Sequence, residues 1–181
     1  ISVPELNMEI PAKKGFSVIA TANTRDKGVN EMSAALKRRF NIVVLPTPAS
    51  LETEIDIVKT RVEQLSGGME LNASLPESDV VEKVCTIFRE LRNGETCDKS
   101  QKLKTTTGVL STAEAISLLC GSMALAGSFG NGKVSDEDLA AGLAGAVIKE
   151  EDKDVTAWKE YLENVMKKRG SKWSGLYNAC R

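Results

Sequence analysis

FSVIATANTRDKGVNEMSAALKRRF, residues 16–40, is the stretch on which the fold turns. It opens on Ser17-Val18-Ile19-Ala20-Thr21-Ala22, a run of small apolar residues with the character of a strand buried in a parallel sheet. The run stops at a polar Asn23. A polar loop follows, and Asn30 is positioned to cap a short helix from Glu31 to Arg38. That helix ends in Lys37-Arg38-Arg39-Phe40. A second apolar run, Ile42-Val43-Val44-Leu45, reads as another buried strand and closes at Pro46, with Pro48 two residues on. A domain boundary belongs there, dividing the chain into residues 1–48 and 49–181.

Outward toward the N-terminus, Ile1 to Pro11 alternates imperfectly between apolar and polar residues. Pro4 and Asn7 interrupt it, which predicts an irregular edge hairpin. Its first strand begins at residue 1 with no lead-in, the pattern of a chain that starts partway through a structure.

Everything after Pro48 reads as helix. Ser50 is an N-cap for a helix with Leu51, Ile55, Val58, Val62 and Leu65 on one face, stopped by Gly67-Gly68. Ser78 opens a second helix, with Val80, Val84, Ile87, Phe88 and Leu91 inward and Asn93-Gly94 at its end. The polar segment from Glu95 to Gly108 predicts a mobile loop. Ser111-Thr112-Ala113-Glu114 is a capping box before an almost uncharged helix, the expected centre of the second domain. Gly127 to Lys133 forms a turn. Its GSFGNG run follows a helix rather than a strand, so it lacks the context of a phosphate loop. Ser135-Asp136-Glu137-Asp138 caps a fourth helix with Leu139, Leu143, Val147 and Ile148 inward. A last helix is predicted from about Val155 to Lys168, with Trp158, Tyr161, Leu162 and Val165 on one face.

Composition narrows the chemistry. The 181 residues carry a net charge of −1 with 24 basic and 25 acidic side chains, so no general attraction to nucleic acid or an anionic membrane is expected. No apolar run approaches membrane-spanning length, and no signal-peptide pattern opens the chain. There is no histidine, which removes Ser-His-Asp and Cys-His catalysis and histidine metal sites. Cys85, Cys97, Cys120 and Cys180 show no CxxC spacing, and reduced thiols in a cytoplasmic protein are expected over a metal site or two bridges.

Two features could carry chemistry. Asn23 ends a strand, and the carboxyl ends of strands in open α/β sheets face the ligand crevice. A carboxamide there can orient a water for attack on a terminal phosphate, or it can simply form a turn. Arg38 and Arg39 end the short helix. They either complement its dipole or neutralise charge on a transferring phosphoryl group.

Taken together, a strand ending Ala-Thr-Ala-Asn, a polar loop, Ala-Leu-Lys-Arg-Arg-Phe and a strand closing in proline resemble the AAA+ ATPases, and within them the MoxR-like branch. The resemblance is specific from Phe16 to Pro46 and looser to about residue 150. It implies the C-terminal part of a nucleotide-hydrolysing α/β core, with two parallel-type strands, a hairpin and a short helix, followed by an all-α helical lid. In that family Asn23 matches sensor 1, which also touches the nucleotide. Arg39, or less closely Arg38, matches the arginine finger inserted into the neighbouring subunit's site. The implied ligands are ATP and Mg2+, held mainly by residues outside this sequence. The implied partners are further copies in a hexameric ring and a protein substrate, with a von Willebrand factor A-type protein as a possible associate. Neither nucleic acid nor a membrane is expected as a partner.

Three departures accompany the resemblance. No GxxxxGK[ST] loop and no apolar strand ending in paired acids is present, so this stretch alone should be inactive. Where the family's lid carries the sensor 2 arginine, this chain has Thr112, Ala113 and Glu114. Lys102 and Lys104 are the remaining cationic candidates for that role. The competing reading is a degenerate AAA+ subunit or a non-catalytic helical module that docks a partner.

Overall fold

The computed structural model describes residues 2–3, 5, 7–9, 11–22, 33–108 and 110–181. The chain divides into two compact units, Ile1–Leu45 and Pro46–Arg181.

In the first unit, β1 (Ser2–Val3) pairs antiparallel with β2 (Met8–Glu9), with Ser2 opposite Glu9 and Val3 opposite Met8. Asn7, at φ 45°, supplies the left-handed residue of the turn, which Asn tolerates better than most side chains. The expected hairpin is thus present in short form. A single-turn helix follows, α1 (Ala34–Lys37). Its cap is Ser33, whose Oγ accepts from the Leu36 amide at 3.2 Å, rather than Asn30, which lies outside the described residues with Glu31.

The two buried strands expected here are not formed. Residues 17–22 and 42–45 carry no sheet pairing among the described residues. Ile19 is 95% exposed, Val44 84% and Leu45 86%. The physical reason is that an apolar strand is stable only beside strands that take up its N–H and C=O groups and cover its faces. The described part of this unit offers no such neighbour, so the strand-like sequence is left without sheet pairing and exposed.

The second unit is a helical bundle, as the apolar periodicities require. It comprises α2 (Leu51–Ser66), α3 (Ser78–Asn93), α4 (Thr112–Phe129), α5 (Asp136–Val147), α6 (Glu151–Asn164) and α7 (Ser171–Ala179). Ser50 caps α2 by accepting from the Thr53 amide at 3.1 Å. Both capping boxes are complete, Ser111 with Glu114 on α4 and Ser135 with Asp138 on α5. Ser78 opens α3 as expected, behind Glu77, whose side chain makes no capping bond. Gly94 ends α3 at φ 69°, a left-handed C-cap that a Cβ would strain.

The core is built from Val58 and Val62 of α2, Val84, Ile87, Phe88 and Leu91 of α3, Leu119 and Met123 of α4, and Leu139 and Leu143 of α5, all buried. Among the described residues α4 is the one helix long and apolar enough to cross a membrane, 18 residues with mean hydropathy 1.3. That length revises the reading that no apolar run comes near a span. It packs against α2, α3 and α5 and buries Ala115, Leu118, Leu119, Ser122, Met123 and Ala126.

The C-terminal end departs from expectation. The last helix does not run on to Lys168. It breaks at Val165 into a 3-10 turn, Met166–Lys168, and Gly170, at φ 82°, turns the chain into α7. Leu176 and Tyr177 of α7 complete the core.

Candidate functional site

The residues expected from the sequence to form a site, Asn23, Arg38 and Arg39, lie in the first unit. Arg38 is the C-cap of α1 and Arg39 follows it, and both side chains are exposed. Ser33 starts this helix and Phe40, half-buried, ends the segment, so the guanidinium pair projects from a four-residue turn. Neither arginine is engaged in an ion pair among the described residues. Asn23, the second expected site residue, lies outside the described residues.

In the helical unit the polar chemistry is concentrated on three buried carboxylates that sequence patterns did not single out. Glu54 of α2 is fully buried. Its Oε2 accepts from Arg92 at 2.7 Å and from Arg89 at 3.3 Å, and its Oε1 accepts from Arg92 at 3.0 Å and from Thr112 Oγ1 at 3.0 Å. Arg92 also donates to the Leu110 carbonyl at 2.8 Å, while Arg89 donates to the carbonyls of Pro48 at 3.1 Å and Ala49 at 2.7 Å. Two guanidinium forks therefore enclose one carboxylate, the geometry in which a buried charge is tolerated.

Glu90 of α3, also fully buried, accepts from Tyr161 Oη at 2.7 Å, from the Cys97 amide at 2.8 Å, and from Arg169. Burial and then the Glu90 charge hold the Tyr161 phenol well above its ordinary range, so it stays protonated and donates to Glu90. Arg169 is sandwiched, its guanidinium 4.6 Å from the Trp173 ring centroid. Asp154 of α6 accepts from the amides of Thr107 (2.7 Å), Lys149 (2.8 Å) and Glu150 (2.8 Å) and from Thr107 Oγ1 (2.7 Å). Burial alone would raise its carboxyl, but these donors outweigh it and bring the pKa down to about 2.

These carboxylates correct the expectation of a mobile loop after α3. Glu90 holds the Cys97 amide, Asp154 holds Thr107, and Glu95 and Lys102 form an isolated antiparallel bridge. The Cys97 amide and the Thr107 amide and hydroxyl satisfy these buried acids and pin the segment at two points.

The residues that the resemblance sets at sensor 2 are engaged within the fold. Thr112 bonds Glu54, and Glu114 receives the Ser111 amide at 2.8 Å as half of the capping box. Lys102 and Lys104 are paired with Glu95 at 2.6 Å and Glu160 at 2.5 Å on the surface. At the start of α4, Lys149 Nζ lies 3.7 Å from Glu114 Oε1. An open groove of about 470 Å³ runs between α4 and α5, lined among others by Leu118, Gly121, Leu125, Ala141, Gly142 and Ala146. Among the described residues no cluster of His, Cys, Asp or Glu could hold a metal ion. The four cysteines are free, and burial pushes the Cys85 thiol up to about 12 and the Cys97 thiol up to about 11, so neither is an activated nucleophile.

The sequence of each unit matches a known protein family. The family described as YehL-like AAA+ ATPase C-terminal domain matches residues 52–180, and that described as AAA domain (dynein-related subfamily) matches residues 1–40. The uncharacterized protein YehL of Escherichia coli (strain K12) is 35% identical over 181 residues, covering 97% of this chain and 49% of that protein. The chain therefore spans about half the length of the curated relative it matches. No solved structure matches it.

Proposed function

The chain belongs to the YehL-like AAA+ ATPase C-terminal domain family, and from that premise we propose that it is the C-terminal portion of a MoxR-like ATPase that couples ATP hydrolysis to remodelling of a protein partner. Residues 1–48 contribute to the hydrolysing α/β core, and residues 49–181 are its helical lid. The open apolar segments at 17–22 and 42–45 pair in the whole protein with strands contributed from outside this sequence.

The observation that carries the reading is the order of elements around Arg39. The match to the AAA domain ends at residue 40, the match to the C-terminal domain begins at 52, and an exposed arginine pair closes the first of them. An exposed guanidinium at that position can reach across a subunit junction of a hexameric ring. There it neutralises the charge that builds on the γ-phosphoryl group as water attacks it. Arg39 is the finger, with Arg38 beside it, and Asn23 touches the nucleotide and orients the attacking water. ATP is the substrate. The described residues supply no acidic cluster that would hold Mg2+. The protein acts in the cytoplasm, and its partner is a protein, a von Willebrand factor A-type chain being the form the family resemblance suggests.

A second reading, a degenerate subunit or non-catalytic helical docking module, draws on one specific observation. Thr112 and Glu114 are committed to internal hydrogen bonds where a catalytic lid would present a cation. The two readings separate on the full-length protein. Arg39→Ala should lower ATP turnover by roughly 10³–10⁵ while leaving the fold intact by circular dichroism. Unchanged turnover would remove Arg39 from the chemistry and favour the docking module.

A further inference from the structure

The segment that leaves the helical unit toward the first unit is built as a strut, and one side chain holds it. Pro46 and Pro48 each fix their own φ, and each bars the residue before it, Leu45 and Thr47, from helical conformations. Little of this segment is packed: Pro46, Thr47 and Ala49 are exposed and Pro48 and Ser50 half-buried. Yet two successive carbonyls are taken up by a single guanidinium. Arg89 donates to Pro48 O at 3.1 Å and to Ala49 O at 2.7 Å. The same guanidinium rests on Glu54 Oε2 at 3.3 Å. Glu54 in turn is fixed by Arg92 and by Thr112 at the first turn of α4. The path of the chain is therefore tied through Arg89 to α2, α3 and α4 at once.

We propose that Arg89 is a positioning residue that makes Pro48-Ala49-Ser50 a rigid part of the helical unit, so that bending of the chain between the two units is confined to residues before Pro48. A planar fork is required, because two carbonyls and a carboxylate must be met in fixed directions. A lysine ammonium keeps the charge beside Glu54 but is a single point without that fork. The inference concerns how the chain moves and does not rest on the ATPase reading.

The test is backbone 15N relaxation on the 181-residue chain, reading the Ala49 amide against Thr53 in the first turn of α2. In the unaltered protein Ala49 should show an order parameter near that of Thr53, about 0.85. In Arg89→Met it should fall below about 0.6 while Thr53 and the amides of α3 and α4 hold. Arg89→Lys should also lose order at Ala49 and, with its charge retained, remain folded. Should Arg89→Met fail to fold, Arg89→Lys decides by the same criterion. An Ala49 amide that is already disordered in the unaltered protein, or that stays as ordered as Thr53 in a folded variant, overturns the inference. Unfolding of Arg89→Lys overturns it as well, since Arg89 would then serve to hold buried Glu54 and the bundle rather than to fix Pro48-Ala49-Ser50.

Discussion

Replacing Glu54 with Gln keeps the shape of the side chain and removes its charge, and the consequence can be worked from its surroundings. Glu54 has no exposed surface, and the Arg92 side chain it neutralises is 8% exposed. The variant amide can still accept from one donor, but its NH2 group faces guanidinium N–H donors that need an acceptor. An uncompensated buried charge costs about 3–5 kcal/mol. For a domain of this size each kcal/mol lowers Tm by roughly 2–4 °C, so the expected drop is about 6–20 °C. Equilibrium urea unfolding of Glu54→Gln, Arg92→Met and the double variant supplies the sharper reading. Once the guanidinium is gone, neutralising Glu54 removes a charge that has lost its main partner. The double variant should therefore lose less than the sum of the singles, by about 0.5–3 kcal/mol. Additive losses, or a Glu54→Gln midpoint within error of the unaltered protein, would refute the view that this carboxylate and its arginines form one buried unit.

Other contacts of the helical unit can be perturbed singly. Gly175→Ala would bring a Cβ to 2.2 Å from Asp136 Oδ2. Asp136 must then swing from Lys83, its partner at 3.2 Å, and urea unfolding should show a loss of about 1–3 kcal/mol. Ser111→Ala removes the acceptor for the Glu114 amide at the start of α4 and should cost about 0.5–2 kcal/mol by the same measurement. Asp154, whose folded pKa is lowered to about 2, stabilises the fold above its unfolded pKa of about 3.9 and loses that contribution as pH falls through about 2. The stability gap between the unaltered protein and Asp154→Asn should thus be constant near neutrality and shrink between about pH 4 and 2. A gap that is flat across that window would contradict the assignment.

The helices were legible because their signals are local. Ser50, Ser111 with Glu114, and Ser135 with Asp138 cap within a single turn, and the apolar stripes of α3 and α5 follow the helical period. The three buried acids were not legible because their partners are distant in sequence. Glu54 meets Thr112, and Glu90 meets Tyr161 and Arg169, across separations no periodicity encodes. The same cause hid the order of the loop after α3, whose polar residues resemble a solvated segment until Asp154 and Glu90 are known to need donors. The break at Val165 was missed because Val165 and Met166 continue the apolar face of α6, and only the turn at Gly170 reveals the reversal into α7. In the first unit, Ile42 to Leu45 has the composition of a buried strand, but composition cannot provide the neighbour that would bury it. Of the expected site, the exposed arginine pair follows from a short capped helix that ends in charge.

Trans-complementation between two inactive forms of the full-length protein tests the central claim most directly. One carries Arg39→Ala, and the other is disabled in its own phosphate-binding half with Arg39 intact. A finger that serves the adjoining subunit predicts that mixed rings regain ATP turnover neither form has alone, because intact sites then meet intact arginines. Turnover that stays at background in verified mixed rings, or an Arg39→Ala protein that is fully active by itself, would contradict it.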